Sequence, residues 1–244
     1  LNDIDTEELK QKFGISNEDN SPSRIRKCIT WTFKEIGKLQ RLVGFLTGKR
    51  KTIMLTGYTG AGKTTVLTAL EKRDDVSDED MSKKIHTSGF LSHYFEYETT
   101  HGEKLYIKSD DSEGLEKAVN DEEFEKRLKK HHYILYLLNV HQYVNKNDRD
   151  ENERCKAWLQ QVSKVANNNK KVMMLVLTHA DEYLVNIKEE YSETNKAKIR
   201  TKFLGDGGYL SDVKFKCCRD TKVANVRKYT EVREIIEDLI QSRS

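Results

Sequence analysis

"TGYTGAGKTT", residues 56–65, sets three glycines and a lysine directly behind the apolar run Ile53-Met54-Leu55. Ahead of it lies a helix-forming stretch, "KTTVLTALEK", residues 63–72. From Gly57 to Thr64 the chain fills G-x-x-x-x-G-K-[ST] at every fixed position. A strand that turns on glycine into a helix lets backbone N–H groups converge with no Cβ in the way. The helix's first turn adds unpaired donors and the positive end of its dipole. Such a turn cradles phosphate. Gly57, Thr59, Gly60, Ala61, Gly62, Lys63, Thr64 and Thr65 are then the phosphate-binding residues. Lys63 is the catalytic cation reaching the outer phosphates, and the Thr64 hydroxyl is a ligand for Mg²⁺. The alternative is a glycine-rich turn with an incidental lysine; the strand before it and the helix after it argue against that.

Working outward, the rhythm is that of alternating strands and helices, the pattern of a parallel sheet with crossover helices. It predicts strands at 52–57, 91–99, 103–110, 133–140, 172–178 and 213–218, and helices at 63–73, 115–130, 151–167, 186–203 and 226–242. "HYFEYETT" and "EKLYIKSD" are joined by a short turn at His101-Gly102, which predicts a β-hairpin and hence one antiparallel strand. The fold expected is α/β: a three-layer αβα sandwich on a mostly parallel six-stranded sheet with one antiparallel strand, preceded by N-terminal helices. Residues 1–50 form that helical extension. A short helix runs from Thr6 to Phe13, and Ser21-Pro22 opens a second whose apolar stripe includes Ile25, Cys28, Ile29, Phe33 and Ile36. Residues 51–244 form the main domain.

Composition narrows the class. Of 244 residues, 36% are hydrophobic, enough for a core, and 34% are charged with the signs nearly cancelling at +3. That balance gives no reason to expect nucleic acid or an anionic membrane as partner. No apolar run approaches the roughly 18 residues of a membrane span, and no signal-peptide pattern is present. Cys28, Cys155, Cys217 and Cys218 lack metal or disulfide-framework spacing, so reduced thiols and a cytoplasmic location are expected. The opening residue is Leu1 rather than Met, as for a piece of a longer chain. His131-His132 reads as a solvated helix end, "GKRK" (48–51) and "KRLKK" (126–130) as solvated faces, and Trp31 and Trp158 as core.

Three further segments decide which nucleotide is expected. Asp111-Ser-Glu-Gly114 follows the strand "KLYIKSD"; Thr178-His179-Ala180-Asp181 ends the apolar strand "VMMLVLT"; Thr87 lies in the polar loop "RDDVSDEDMSKKIHTSG" midway between Thr64 and Asp111. Together with the phosphate loop these resemble the guanine-nucleotide-binding domain of the P-loop GTPases, over about residues 50–242. The resemblance implies that Asp111 reaches Mg²⁺ through water and that the Gly114 N–H meets the γ-phosphate. It implies that Thr87, with Ser88 as runner-up, joins Thr64 and Asp111 around the metal and acts in catalysis. It implies that Asp181 accepts hydrogen bonds from the guanine N1–H and exocyclic amine. Adenine presents a lone pair at N1 and would leave that carboxylate unpaired. His179 stands where the family carries lysine along the base. Cys218 and Arg219 in "VKFKCCRDTK" occupy the place of the family's last base-contacting loop.

Leu115 follows Gly114 where a water-orienting glutamine would stand. That is similar to the hydrophobic-substituted branch, which includes septins, dynamin-like proteins, immunity-associated GTPases and interferon-induced 44-like proteins, although the immunity-associated group carries "DTPG" where this chain has "DSEG". The expectation is Mg²⁺-dependent binding of GTP and GDP, with hydrolysis that is slow or helped by His86, Glu113, a second subunit across the nucleotide face or an effector. The chain would then act as a switch or assembly module. A P-loop ATPase or kinase, and a nucleotide-bound scaffold without turnover, are the competing readings.

Overall fold

The computed structural model describes residues 50–82, 90–98, 104–112, 122–144, 149–213 and 215–241. All belong to the second of two units into which the chain divides, Gly48–Ser244. The expected helical extension at 1–50, with Cys28 and Trp31, lies outside the described residues, as do Ser88, His101-Gly102, Glu113 and Leu115.

Two strands, β4 (Tyr133–Asn139, "YILYLLN") and β5 (Val172–Thr178, "VMMLVLT"), are buried at every residue. A run apolar on both faces is what a sheet covered on both sides requires. Alternate residues divide between two cores. Ile134, Tyr136, Leu138, Met173, Leu175 and Leu177 pack with Trp158, Leu159 and Val162 of α5 (Arg149–Asn168) and Ile199 and Phe203 of α7 (Glu193–Leu204). Tyr133, Leu135, Leu137, Met174 and Val176 pack with Val66 and Leu70 of α1 (Lys63–Lys72) and Ile236 and Leu239 of α8 (Tyr229–Gln241). The molecule is therefore an α/β protein with helices on both faces of its sheet.

With β1 (Arg50–Gly57), β2 (Phe90–Glu98), β3 (Lys104–Ser112) and β6 (Cys218–Val223), the strand order is β2-β3-β1-β4-β5-β6. The β1–β3, β1–β4, β4–β5 and β5–β6 pairs are parallel, and among the described strands only β2 runs antiparallel, against β3. From β1 the chain goes to β2 and β3 on one side and returns to β4 on the other. The order reverses beside β1, and in open α/β sheets the crevice for a ligand lies outside the carboxyl ends of the strands at such a point.

The structure departs from the expected elements in four places. The helix predicted over 186–203 begins only at Glu193, as α7, and is preceded by a separate helix that the sequence pattern does not predict, α6 (Ala180–Asn186). Lys188 takes the left-handed conformation (φ 58°), while the Glu189 N–H donates to Leu184 O at 2.9 Å and the Lys188 N–H to Val185 O at 3.1 Å. This closes a helix C-terminus where glycine is usual and lysine gives no warning. Ser192 then caps α7 by accepting from the Asn195 N–H. The last strand is Cys218–Val223 rather than 213–218, because Leu210 and Val213 sit in turns and serve as buried packing beneath α7. Short helices α2 (Asp78–Ser82) and α4 (Val140–Val144) were not expected, and α3 is described over Glu122–Lys130. Finally, His131 is buried with Nδ1 2.7 Å from Arg127 O, and His132 Nδ1 lies 2.6 Å from Thr52 Oγ1. That pair anchors α3 to β1 instead of facing solvent. Among the described residues no helix is long and apolar enough to cross a membrane.

Leu175 is fully buried in β5 and packs in the core on the α5 side. Leu175→Ala is expected to destabilise the protein by about 2–5 kcal/mol, read as a lowered urea midpoint at unchanged m-value.

Candidate functional site

At the end of β1 the backbone leaves the sheet through three glycines with positive φ: Gly57 at 150°, Gly60 at 76° and Gly62 at 92°. The first is forced by space as well as by conformation. A Cβ on Gly57 would lie 2.3 Å from the Leu137 carbonyl oxygen of the neighbouring strand. A Cβ on Gly60 would lie 2.8 Å from Gln142 Nε2, and one on Gly62 2.9 Å from Val226 Cγ2. Gly62 is the N-cap of α1 and brings no side-chain acceptor, so the first-turn donors of the helix are left to whatever occupies the loop. Lys63 is buried, and its Nζ lies across the loop, donating to Gly57 O at 2.9 Å and Tyr58 O at 3.2 Å. Thr64, on the first turn, is half-buried, and Ala61 is buried.

Side chains at the carboxyl ends of β4, next to β1, and of β5, one strand further, hold this loop. Asn139, the last residue of β4, donates from Nδ2 to Gly60 O at 3.1 Å. Its Oδ1 accepts the N–H groups of His141 and Gln142, at 3.0 and 3.1 Å, which starts α4. Thr178, the last residue of β5 and wholly buried, has Oγ1 3.0 Å from Ala61 O and 3.2 Å from Leu138 O. Asn139 is a site residue that the sequence reading passed over; an asparagine closing a strand otherwise all apolar was the available signal.

The segment after Thr178 turns immediately. His179 adopts the left-handed conformation (φ 54°) as N-cap of α6, its Nδ1 3.0 Å from Glu182 Oε1. Its buried Nε2 has no hydrogen-bond partner among the described residues and faces Gly62, 3.9 Å from where a Cβ on that glycine would stand. The imidazole is thus packed against the glycine loop at Gly62. Asp181, two residues on, is half-buried, and Asn225 Nδ2 donates to its Oδ2 at 2.9 Å. Its Oδ1 accepts no hydrogen bond among the described residues. The carboxylate is fixed on one side and open on the other.

Asn225 belongs to the turn after β6, and this turn, rather than Cys218 and Arg219, lies beside Asp181 at the carboxyl edge of the sheet. Those two residues open β6, with Cys218 paired to Met173 at the start of β5 and the β-bulge falling at Arg219. In parallel strands that puts them at the amino end of the sheet, away from Thr178. Cys218 Sγ is instead 3.0 Å from Asp220 O, and burial pushes its thiol pKa up. The error traces to the displaced strand: moving β6 to its true place carries the loop from "CCRD" to Ala224-Asn225-Val226. There the Ala224 N–H bonds Leu177 O at 3.0 Å and Val226 touches the space above Gly62.

Asp111 lies near the carboxyl end of β3, its Cα paired with Leu55 of β1 two residues before Gly57. Thr87 and Gly114, and the candidate catalytic helper His86, lie outside the described residues. Among the described residues no group of three or more His, Cys, Asp or Glu side chains could hold a metal by itself. No protein-family model matches this chain, and no curated protein matches it.

Gly57→Ala is expected to cost roughly 1–3 kcal/mol or more, since the strained φ and the Leu137 contact act together. Gly207→Ala is the control, because Gly207 has φ 73° and nothing within 4 Å of its Cβ position. Thermal melts should show the larger loss at Gly57.

Proposed function

We propose that this chain binds a guanine nucleotide with Mg²⁺ at the carboxyl edge of its sheet. The observation that carries the reading is the direct tie between the two halves of the site. Thr178 Oγ1 reaches the phosphate loop at Ala61 O, three residues before a half-buried aspartate whose outer oxygen is open. A loop whose glycines leave room only for backbone, followed by an uncapped helix N-terminus, suits phosphate. A carboxylate braced by an amide donor suits a ligand edge with two adjacent N–H groups. Guanine offers such an edge, whereas adenine would set a lone pair against the carboxylate.

In this reading the backbone of residues 59–65 and Lys63 bind and offset the phosphate charge, while Asp181 selects the base. Mg²⁺, when bound, would sit with the Thr64 hydroxyl and the phosphates, with Asp111 and Thr87 as the expected further contributors; it would neutralise charge on the outer phosphates. A hydroxyl together with phosphate oxygens and water is the usual donor set for this ion, and no dedicated protein cage is needed. Turnover of GTP to GDP and phosphate is slow unless a second copy or an effector supplies a group that positions water, since Leu115 follows Gly114. The gain and loss of the outer phosphate then drives a switch or assembly step.

The test is a competition titration of GDP and ADP against a fluorescent guanine nucleotide, with Mg²⁺, on wild type and Asp181→Asn. GDP is expected to displace the probe at least 10-fold better than ADP, with the substitution removing that preference, because unpaired polar groups in a recognition site cost about 1–3 kcal/mol each. Equal displacement by the two nucleotides would overturn the guanine reading in favour of a P-loop ATPase, and displacement by neither would overturn nucleotide binding altogether.

A further inference from the structure

Three donors from three separate segments meet on one oxygen of Glu231, near the start of α8. The Asn225 backbone N–H donates to Oε2 at 2.9 Å, the Tyr191 hydroxyl at 2.8 Å and Lys196 Nζ at 3.2 Å. The Lys196 ammonium also lies 4.5 Å from the centre of the Tyr191 ring and 2.9 Å from Glu193 Oε1. The Glu231 and Lys196 side chains are only 20% and 14% exposed. Charge-assisted bonds in such partly shielded places are roughly twice as strong as neutral ones. Burial, and then the bond to Glu231, push the Tyr191 phenol above its usual range, so it stays protonated and donating at neutral pH. An acid in the first turn of a helix is ordinarily there to meet the dipole. That role needs no tyrosine from the α6–α7 connector, no lysine from α7 and no backbone amide from a third segment.

What the cluster holds is Asn225. Glu231 fixes its backbone N–H, the Arg227 N–H is accepted by its Oδ1 at 3.0 Å, and its Nδ2 is left to reach Asp181 Oδ2 at 2.9 Å. With both ends of the side-chain amide committed, Asn225 has one arrangement, and the plane of the Asp181 carboxylate follows from it. We infer that Glu231 is a positioning residue for base recognition: through Asn225 it holds the Asp181 carboxylate in the orientation that distinguishes one base from another, with Tyr191 and Lys196 as its braces. This rests on the nucleotide reading above. Glu231 touches no part of the phosphate loop by any of these bonds, so its influence falls on base selection and spares phosphate binding. The segment 191–196 becomes part of the specificity machinery although it lies outside the residues that contact ligand.

The experiment measures dissociation constants for GDP, ADP and inorganic tripolyphosphate, each with Mg²⁺, on wild type, Glu231→Ala, Glu231→Gln, Tyr191→Phe, Asn225→Ala and the Glu231→Ala/Asn225→Ala double variant. Glu231→Ala is expected to lower the GDP-over-ADP ratio by about 10-fold or more, with tripolyphosphate affinity changed by less than about 2-fold. Glu231→Gln, which keeps an acceptor oxygen, and Tyr191→Phe, which keeps the ring, are expected to lose about 3-fold each. The double variant should lose no more than the worse single one, since both act along one path. A folded Glu231→Ala protein with undiminished discrimination, losses that add in the double variant, or a loss shared equally by tripolyphosphate would each overturn the inference. Should Glu231→Ala fail to fold, undiminished discrimination in both Glu231→Gln and Tyr191→Phe overturns it. Absence of guanine preference in wild type itself overturns the nucleotide reading, and the inference falls with it.

Discussion

Parallel strands that end side by side leave little room for a chain to turn out between them, and this is felt most sharply at Gly57. The carbonyl of Leu137 on β4 occupies the place where any other residue's Cβ would stand. The chain can leave β1 only by a backbone path open to glycine, and that path lifts it over the end of the sheet before α1 begins. Everything at the candidate site depends on this exit. It sets the position of the loop carbonyls that Asn139 and Thr178 reach, and it aims the start of α1 at the space above the strands. A loop held from two neighbouring strand ends is organised before any ligand arrives, which lowers the ordering cost of binding.

The buried polar groups nearest this exit follow the same geometry. β4 and β5 are apolar until their last residues, Asn139 and Thr178, and both of these are buried and bonded to the loop. Lys63 is buried among loop carbonyls. Polar groups removed from water are tolerated where each has a partner. At this edge Asn139, Thr178 and Lys63 each find one in the loop backbone. The candidate site and the core share strands without competing for the same residues.

Much of this was legible in the sequence, and the exceptions have physical reasons. The apolar runs "YILYLLN" and "VMMLVLT" announced strands of a parallel sheet, and the glycine spacing in "GYTGAGK" announced the turn. The strands β2 and β3 pair antiparallel, as the short connection between them implied. What failed was the last strand, because Val213 and Phe215 carry an apolar pattern that the fold uses for packing under α7, while the true strand "CRDTKV" is largely polar and stands at the edge of the sheet. That shift hid Asn225. The helix break at Lys188 was hidden because a lysine occupies a left-handed position usually marked by glycine or asparagine. Contacts such as Tyr191 and Lys196 to Glu231 join residues 35 to 40 positions apart and leave no periodic trace.

The proposed function requires the glycine loop at residues 57–62 and Asp181 to form one site for one molecule. The most direct measurement is backbone amide chemical-shift mapping with Mg²⁺ and saturating GDP, ADP or tripolyphosphate. GDP should move the amides of Gly60 to Thr65 together with those of Asp181 and Asn225, while tripolyphosphate moves the loop alone and ADP leaves Asp181 and Asn225 largely in place. An identical set of shifted amides for GDP and ADP, or no shift in the loop with any of the three, would contradict it.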